Sequence, residues 1–279
     1  MTTEASSRAA ATRSLIEAAR TTSTVELGQP HFTGMPCSPN HPGFRMTLMR
    51  RHGDMVRPDG GSASNEIIVT GGHVGTHVDA LSHVSHDGRL HGGVDAAAAQ
   101  AGGSFSALGA EHTPFLFTRG VLLDVAATKG VDVLPAGYGI TADDLRQSAD
   151  RAGVRLGAGD VALVRTGWAR HFGTAATYLG QSDGVPGATT EAAEYLASAG
   201  VATTGADTTA YEQIKPGAGH SVLPVHRVLL VEAGIHIIEH LNLEAASELG
   251  LTEFLFVMAP LRIVGGTGSP IRPVAVLAA

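Results

Sequence analysis

Cysteine, aromatic residues and long apolar runs are all scarce in this chain. Cys37 is the one cysteine among 279 residues, which excludes a disulfide within the chain and fits a reducing cytoplasm. Aromatic residues make up 5% of the chain, so we expect a core built from smaller side chains. No apolar run approaches the roughly 20 residues that a membrane-spanning helix needs, and we therefore expect no membrane partner.

Basic charge is also scarce. The chain has 19 Lys and Arg residues against 26 Asp and Glu residues, a formal net charge of −7. This balance argues against a nucleic-acid partner. Residues 1–23 are polar and rich in alanine, without the apolar centre of a signal peptide. We expect them to form an extension with a short helix over 14–20, followed by a single domain over residues 24–279 in a cytoplasmic protein.

Glycine and apolar side chains are abundant. The 36 glycines predict many turns, and a hydrophobic fraction of 43% is enough for a large core. Short apolar strands, such as 161–167, alternate with helical stretches, such as 141–151 and 189–199. This alternation, without internal repeats, predicts an α/β fold.

Three histidines and one carboxylate lie within eleven residues of each other: His73, His77, Asp79 and His83. The β-branched run before them, residues 65–71, is typical of a buried strand that ends in a turn. A continued strand would separate the Cα atoms of His73 and His77 by about 13 Å. A helix would instead point Asp79 away from both. We therefore expect a bend at Gly75 that brings the three side chains together, with the Thr76 hydroxyl anchoring the turn.

Imidazole and carboxylate together are the usual ligands of Zn, Mn or Fe in hydrolytic sites. The alternative is a set of unrelated surface or core histidines, since the chain has 14 of them. Four ionisable groups beside an apolar strand would, however, each need a buried partner. The spacing therefore favours a metal site.

The pattern His-x-Gly-Thr-His-x-Asp-x-x-x-His over 73–83 resembles the metal-dependent cyclase family, which includes kynurenine formamidases and isatin hydrolases. Other segments resemble the family in the same order along the chain. They are residues 25–27 with Gly-Met-Pro at 34–36, residues 226–230 followed by Gly234, Glu239 and residues 241–243, and residues 259–261 with 265–273. The resemblance implies a single-domain swivelling β/β/α fold with a central mixed sheet or small barrel-like core. It also implies a homodimer or a higher homo-oligomer.

The resemblance also implies roles for individual residues. By position, His73, His77 and Asp79 match the metal ligands, and His83 matches the catalytic histidine. His226 and Glu239 match residues that complete a second metal site in some members or support the first. The implied cofactor is a divalent metal, Mn or Zn, with one or two ions bound.

The implied reaction is hydrolysis, by metal-activated water, of a C–N amide bond in a cyclic amide such as isatin or in an aryl formamide. Leu81 replaces a proline usual in formamidases, and residues 82–88 are closer to isatin hydrolases, which favours a cyclic amide or lactone. A polyketide-type cyclase or dehydratase, a lactone hydrolase and a metal- or ligand-binding protein without turnover are the alternatives. His83 would pass a proton to the leaving group, or would instead orient Asp79.

Several other segments carry expectations. Residues 225–232 have apolar side chains at helical spacing before Gly234, and 235–239 is typical of a strand. Asp207 is expected to cap or brace a loop. Residues 265–269 lack the spacing of a nucleotide-binding loop and are expected to form a turn between strands. Three further histidines are candidates for the pocket lining: His86, His91 and His220.

Overall fold

The computed structural model describes residues 2–219 and 222–278. Its strands are β1 (Ser23–Glu26), β2 (Arg45–Arg50), β3 (Asn65–Val69), β4 (His77–Asp79), β5 (Leu116–Asp124), β6 (Gly139–Ile140), β7 (Val161–Arg165), β8 (Gly187–Ala188), β9 (Thr203–Ala206), β10 (His236–Glu239), β11 (Glu253–Met258), β12 (Gly268–Pro270) and β13 (Val274–Leu277). Its α-helices are α1 (Thr2–Arg20), α2 (Ala96–Ala99), α3 (Val125–Thr128), α4 (Ala142–Ala152), α5 (Ala175–Tyr178), α6 (Thr190–Ala199), α7 (Pro224–His226) and α8 (Glu244–Glu248). Helix α7 continues as a π-helix, Arg227–Ala233.

The described residues form a nine-stranded mixed sheet in the order β1-β13-β11-β5-β7-β9-β10-β4-β12. Strands β5, β7, β9 and β10 run parallel at its centre, and antiparallel strands extend it on both sides. All five residues of β7 are buried, as expected for a parallel strand covered on both faces. The expected α/β fold with a central mixed sheet is therefore present.

Apolar side chains of the central strands alternate between two cores. On one face, Leu123 of β5 packs with Leu145 of α4 and Leu196 of α6. On the other face, Leu122 of β5 belongs to a second cluster that includes Phe256 of β11. Each fully buried leucine stabilises the fold by about 1.5–3 kcal/mol, so packing on both faces stabilises the sheet that carries the ionisable cluster.

The helix boundaries follow local signals in the sequence. Thr141 and Asp144 form a capping box at the start of α4, which ends at Gly153 in a left-handed conformation. Thr189 caps α6 through its hydroxyl, which accepts from the backbone N–H of Ala192, and α6 also ends at a left-handed glycine, Gly200. The segment expected to be helical over 225–232 is helical and ends at Gly234. The helices predicted over 141–151, 189–199 and 225–232 are therefore confirmed. They could be predicted because helix ends depend on residues that are neighbours in the sequence.

Two expectations are corrected. Strand β3, expected to be buried, pairs only with β2, and all five of its residues are exposed. Its β-branched run reflects strand propensity, which does not distinguish a buried from an exposed strand. The N-terminal helix, expected over 14–20, runs over Thr2–Arg20. Among the described residues, no helix has both the length and the apolar character needed to cross a membrane.

Candidate metal centre

Strand β4 carries two of the predicted ligands. His77 and Asp79 point to the same face because they are two residues apart in a strand. The chain enters β4 through a turn in which Gly75 has a φ of 65°, and a Cβ at this position would lie 2.6 Å from Nε2 of His31. The predicted bend is therefore present. It returns His73 to the cluster, with Nδ1 lying 2.7 Å from Oδ1 of Asp79.

The Thr76 hydroxyl anchors this turn, as predicted. Its Oγ1 donates to the carbonyl oxygen of His240 at 2.6 Å and accepts from the backbone N–H of Gln29 at 2.7 Å. Both partners belong to other segments of the chain. The turn is therefore tied to the first loop and to the end of β10, which carries Glu239.

Asp79 is fully buried among imidazoles. Its Oδ1 lies 3.4 Å from Nε2 of His77, and its Oδ2 lies 3.6 Å from Nε2 of His226. Burial favours the neutral acid, but charge and hydrogen bonds from the histidines, including that from His73, hold the pKa of Asp79 well below its usual range. Asp79 is therefore the negative centre of the cluster.

Glu239 faces His77 across the sheet. The two residues are register partners between β10 and β4, so their side chains emerge on one face. Oε2 of Glu239 lies 3.6 Å from Nε2 of His77, and Oε1 lies 3.3 Å from Nε2 of His226. Burial opposes the charged form of both histidines. Hydrogen bonds and charge from the carboxylates outweigh it, raising the pKa of His77 and raising the pKa of His226 to about 10.

These residues fit a divalent cation. Oδ2 of Asp79 is buried and has no hydrogen-bond partner among the described residues, which is costly unless a cation or a water meets it. Ligand atoms of Asp79, His226 and Glu239 lie within 4.8 Å of one another, as do those of His73, Asp79 and His83. Carboxylate oxygens and imidazole nitrogens suit Zn and Mn alike.

His83 lies against the cluster without entering the hydrogen bonds of Asp79. Its ring is stacked on that of His73, with centroids 3.8 Å apart and planes at 26°. Burial and the neighbouring histidines lower the pKa of His83 to about 3, although the charge of Asp79 opposes this. His83 is therefore an uncharged imidazole beside the buried carboxylate.

A cavity of about 200 Å³ opens onto the cluster. His73, His83, His226 and Glu239 line it. A second cavity, of about 350 Å³, shares Ser38 and Asn40 with the first. The cluster can therefore be reached by a small molecule.

Comparison with known proteins identifies the family. Residues 24–213 match the family model "Cyclase: Putative cyclase". This chain belongs to the cyclase family. The family predicted from the sequence is thus confirmed.

Individual relatives agree with this assignment. An isatin hydrolase from Roseibium aggregatum is 30% identical over 125 residues, which are 44% of this chain and 46% of that protein. The chain thus matches about half the length of that curated relative. A crystal structure described as a novel cyclase superposes with a TM-score of 0.81 at 29% identity, covering 93% of this chain and 91% of the other. Isatin hydrolase A from Ralstonia solanacearum shares the fold, with a TM-score of 0.72 at 23% identity over 95% and 96% of the two chains.

The structure brings all six predicted site residues of this cyclase-family chain into one cluster. They are His73, His77, Asp79, His83, His226 and Glu239. Their individual roles stay predictions. The boundary between an extension over 1–23 and a domain over 24–279 likewise stays a prediction.

Sequence reasoning missed three buried residues of the cluster. Nδ1 of His226 bonds to Oε1 of Glu212 at 2.5 Å. Nδ1 of His236 bonds to the carbonyl oxygen of Asp79 at 2.8 Å. His240 has a positive φ of 56° and a ring 5.7 Å from that of His77. None of the three has a local pattern that marks it, because each is placed by the pairing of distant segments.

Other expectations met mixed outcomes. Asp207 braces a loop, as predicted, by accepting from the backbone N–H groups of Thr166 and Gly167. His91 bonds to a backbone carbonyl, and His86 is about half exposed. Neither lines the described part of the metal cavity, and His220 lies outside the described residues. Residues 265–269 are a turn only in part, since β12 begins at Gly268.

Proposed function

We propose that this chain is a metal-dependent hydrolase that cleaves the C–N amide bond of a cyclic amide such as isatin or of an aryl formamide. The observation that carries the proposal is the buried Asp79, whose Oδ2 lacks a hydrogen-bond partner among the described residues and lies 3.6 Å from Nε2 of His226, a residue that lines the cavity. Membership of the cyclase family and the likeness to isatin hydrolases support the same reaction class.

In this mechanism, His73, His77 and Asp79 would hold a divalent ion, Mn or Zn. His226 and Glu239, with Asp79, would hold a second ion if two bind. A bound ion supplies Lewis-acid polarisation of the carbonyl and a water of lowered pKa. The chain itself supplies a buried site, in which electrostatic interactions with the reacting groups are stronger than they would be in water.

His83 moves the proton. Because its ring lines the cavity beside the cluster, it can take a proton from the attacking water as the new C–O bond forms. It then returns this proton to the departing nitrogen as the C–N bond breaks. The stacked ring of His73, 3.8 Å away, holds the His83 imidazole at the cavity wall.

The test is to strip the protein with a chelator and restore Mn or Zn separately. Hydrolysis of isatin and of N-formylkynurenine is then measured side by side. We expect metal-dependent turnover of one of them, with isatin favoured. Full metal occupancy without turnover of either would contradict the substrate assignment and favour a lactone hydrolase or a cyclase. A protein that binds no metal would contradict the reaction class.

Two variants sharpen this test. His83→Ala should keep metal binding and lower kcat by about 10²–10⁴-fold, the usual contribution of a general acid–base group. His86→Ala, in the same loop but about half exposed, is the matched control and should leave kcat unchanged. Equal activity in the two variants would remove His83 from the mechanism.

We propose further that the chain acts as a homodimer in the cytoplasm. Met46, Leu48 and Ile68 are exposed on one face of the β2–β3 hairpin, at 51%, 43% and 54%, and a second copy would cover them. Leu48→Glu should yield monomers by light scattering. A monomeric unaltered protein would contradict the proposal.

A further inference from the structure

Glu212 is a buried carboxylate whose hydrogen bonds to described residues go to the start of helix α7. Its Oε1 accepts from Nδ1 of His226 at 2.5 Å and from the backbone N–H of the same residue at 3.2 Å. Its Oε2 accepts from the backbone N–H of Val225 at 3.3 Å. The side chain is 3% exposed. A carboxylate this buried is stable only because it is satisfied in this way.

The backbone around Glu212 is held in a costly conformation. Tyr211 precedes it with a φ of 57°, a left-handed conformation that a bulky residue rarely adopts and that is held only by the structure around it. The Tyr211 hydroxyl bonds to Oγ1 of Thr204 at 2.7 Å, which secures the ring in the core. On the other side, a Cβ on Gly187 would lie only 2.3 Å from the carbonyl carbon of Glu212. The surrounding structure thus enforces one position for this carboxylate.

That position determines how His226 faces the cluster. With Nδ1–H donated to Glu212, Nε2 points toward Oδ2 of Asp79 at 3.6 Å and Oε1 of Glu239 at 3.3 Å. A hydrogen bond at one imidazole nitrogen fixes both the ring orientation and the nitrogen left free for a metal. Among the described residues, Glu212 is the partner of Nδ1, whereas Glu239 faces Nε2.

We propose that Glu212 is a positioning residue that aims Nε2 of His226 and thereby sets the affinity of the Asp79–His226–Glu239 group for a divalent cation. This inference rests on the proposed function, because it requires the cluster to bind metal. It extends that function by naming the residue that orients the ligand His226. Partners of this kind typically change metal affinity by about 10–100-fold.

A purely structural role is the alternative, because Glu212 also accepts from backbone N–H groups at the start of α7. Glu212→Gln separates the two roles. Its amide oxygen can still accept from the backbone, but the variant loses the negative charge that holds the proton on Nδ1 of His226. A structural role predicts a change in thermal stability alone. A positioning role predicts a change in metal affinity as well.

The experiment titrates the metal-free full chain with Zn²⁺, and separately with Mn²⁺, against a competing chelator. His226→Ala is titrated first to show which binding step depends on His226. Glu212→Gln should weaken that same step by about 10–100-fold and shift the absorption spectrum of the Co²⁺-loaded protein. Glu191→Gln is the matched control, since Glu191 lines the same neighbouring cavity as Glu212 but is exposed. It should bind as the unaltered chain does.

The inference is overturned if Glu212→Gln keeps the His226-dependent step within twofold of the unaltered chain. It is equally overturned if His226→Ala changes no binding step, although metal binds. Absence of any metal binding by the unaltered chain would overturn the proposed function, and the inference with it. If Glu212→Gln does not fold, Glu212→Asp is titrated instead, because it withdraws the carboxylate by one methylene. An unaltered metal affinity of Glu212→Asp would also overturn the inference.

Discussion

Replacing Gly75 by alanine tests the bend on which the cluster depends. At a φ of 65°, an L-residue costs about 1–2 kcal/mol. The added Cβ would also lie 2.6 Å from Nε2 of His31 and 2.7 Å from Cε of Met35, about 1 Å inside the roughly 3.5 Å of ordinary contact. Overpacking of this kind costs about a further 1–3 kcal/mol. We therefore expect Gly75→Ala to lower the free energy of unfolding by about 2–5 kcal/mol.

The matched control is Gly88→Ala. Gly88 has a similar φ of 71°, but a Cβ there would meet no atom within 4 Å, so only the backbone cost of about 1–2 kcal/mol remains. Urea unfolding of the metal-free variants measures the difference. Metal titration should also show weaker binding by Gly75→Ala, because the Gly75 carbonyl accepts from Nδ1 of His77 at 2.7 Å. Equal stability of the two variants, with unaltered metal affinity, would refute the reasoning.

Three further predictions concern the scaffold. Arg165→Leu should lower the free energy of unfolding by about 3–5 kcal/mol, because the largely buried Asp124 loses its counter-charge and the largely buried Glu244 keeps only that of Arg170. The same change at the more exposed Arg119 should cost less than about 1 kcal/mol by urea unfolding. Thr76→Val should cost about 2–4 kcal/mol, since it leaves a backbone donor and a backbone acceptor unpaired, and Thr118→Val, which loses one exposed bond, is its control. Burial raises the pKa of Asp207 to about 6 from 3.8, so the folded state keeps a proton that the unfolded chain loses between these values. The contribution of this carboxyl to stability is therefore lost as the pH rises through about 6, and a pH-independent difference from Asp207→Asn in unfolding free energy would contradict this.

The part of the site that could be predicted consists of residues that lie close together in the sequence. His73, His77 and Asp79 are close along the chain, and only a bend at Gly75 was needed to bring them together. The bend followed from the failure of both a strand and a helix to do so. His226 and Glu239 lie far along the chain from Asp79, and only the family resemblance pointed to them.

The rest could not be predicted because sheet pairing sets it. Glu212 reaches His226 through a strained turn at Tyr211, and no spacing in the sequence marks that turn. The burial of β3 was predicted wrongly for a related reason. A β-branched run such as 65–69 indicates a strand, but its burial depends on whether another layer covers it.

In the glycine-rich segment 265–269, strand pairing explains why one position is a glycine. Gly268 of β12 is the register partner of Asp79 on β4. A Cβ on Gly268 would lie 2.5 Å from Cε1 of His73, so a larger residue would push that imidazole away from the carboxylate. Nε2 of His73 also bonds to Oγ1 of Thr267, the preceding residue, at 2.9 Å. The segment therefore leaves room for His73 and holds it, so β12 and the residue before it are part of the candidate metal centre.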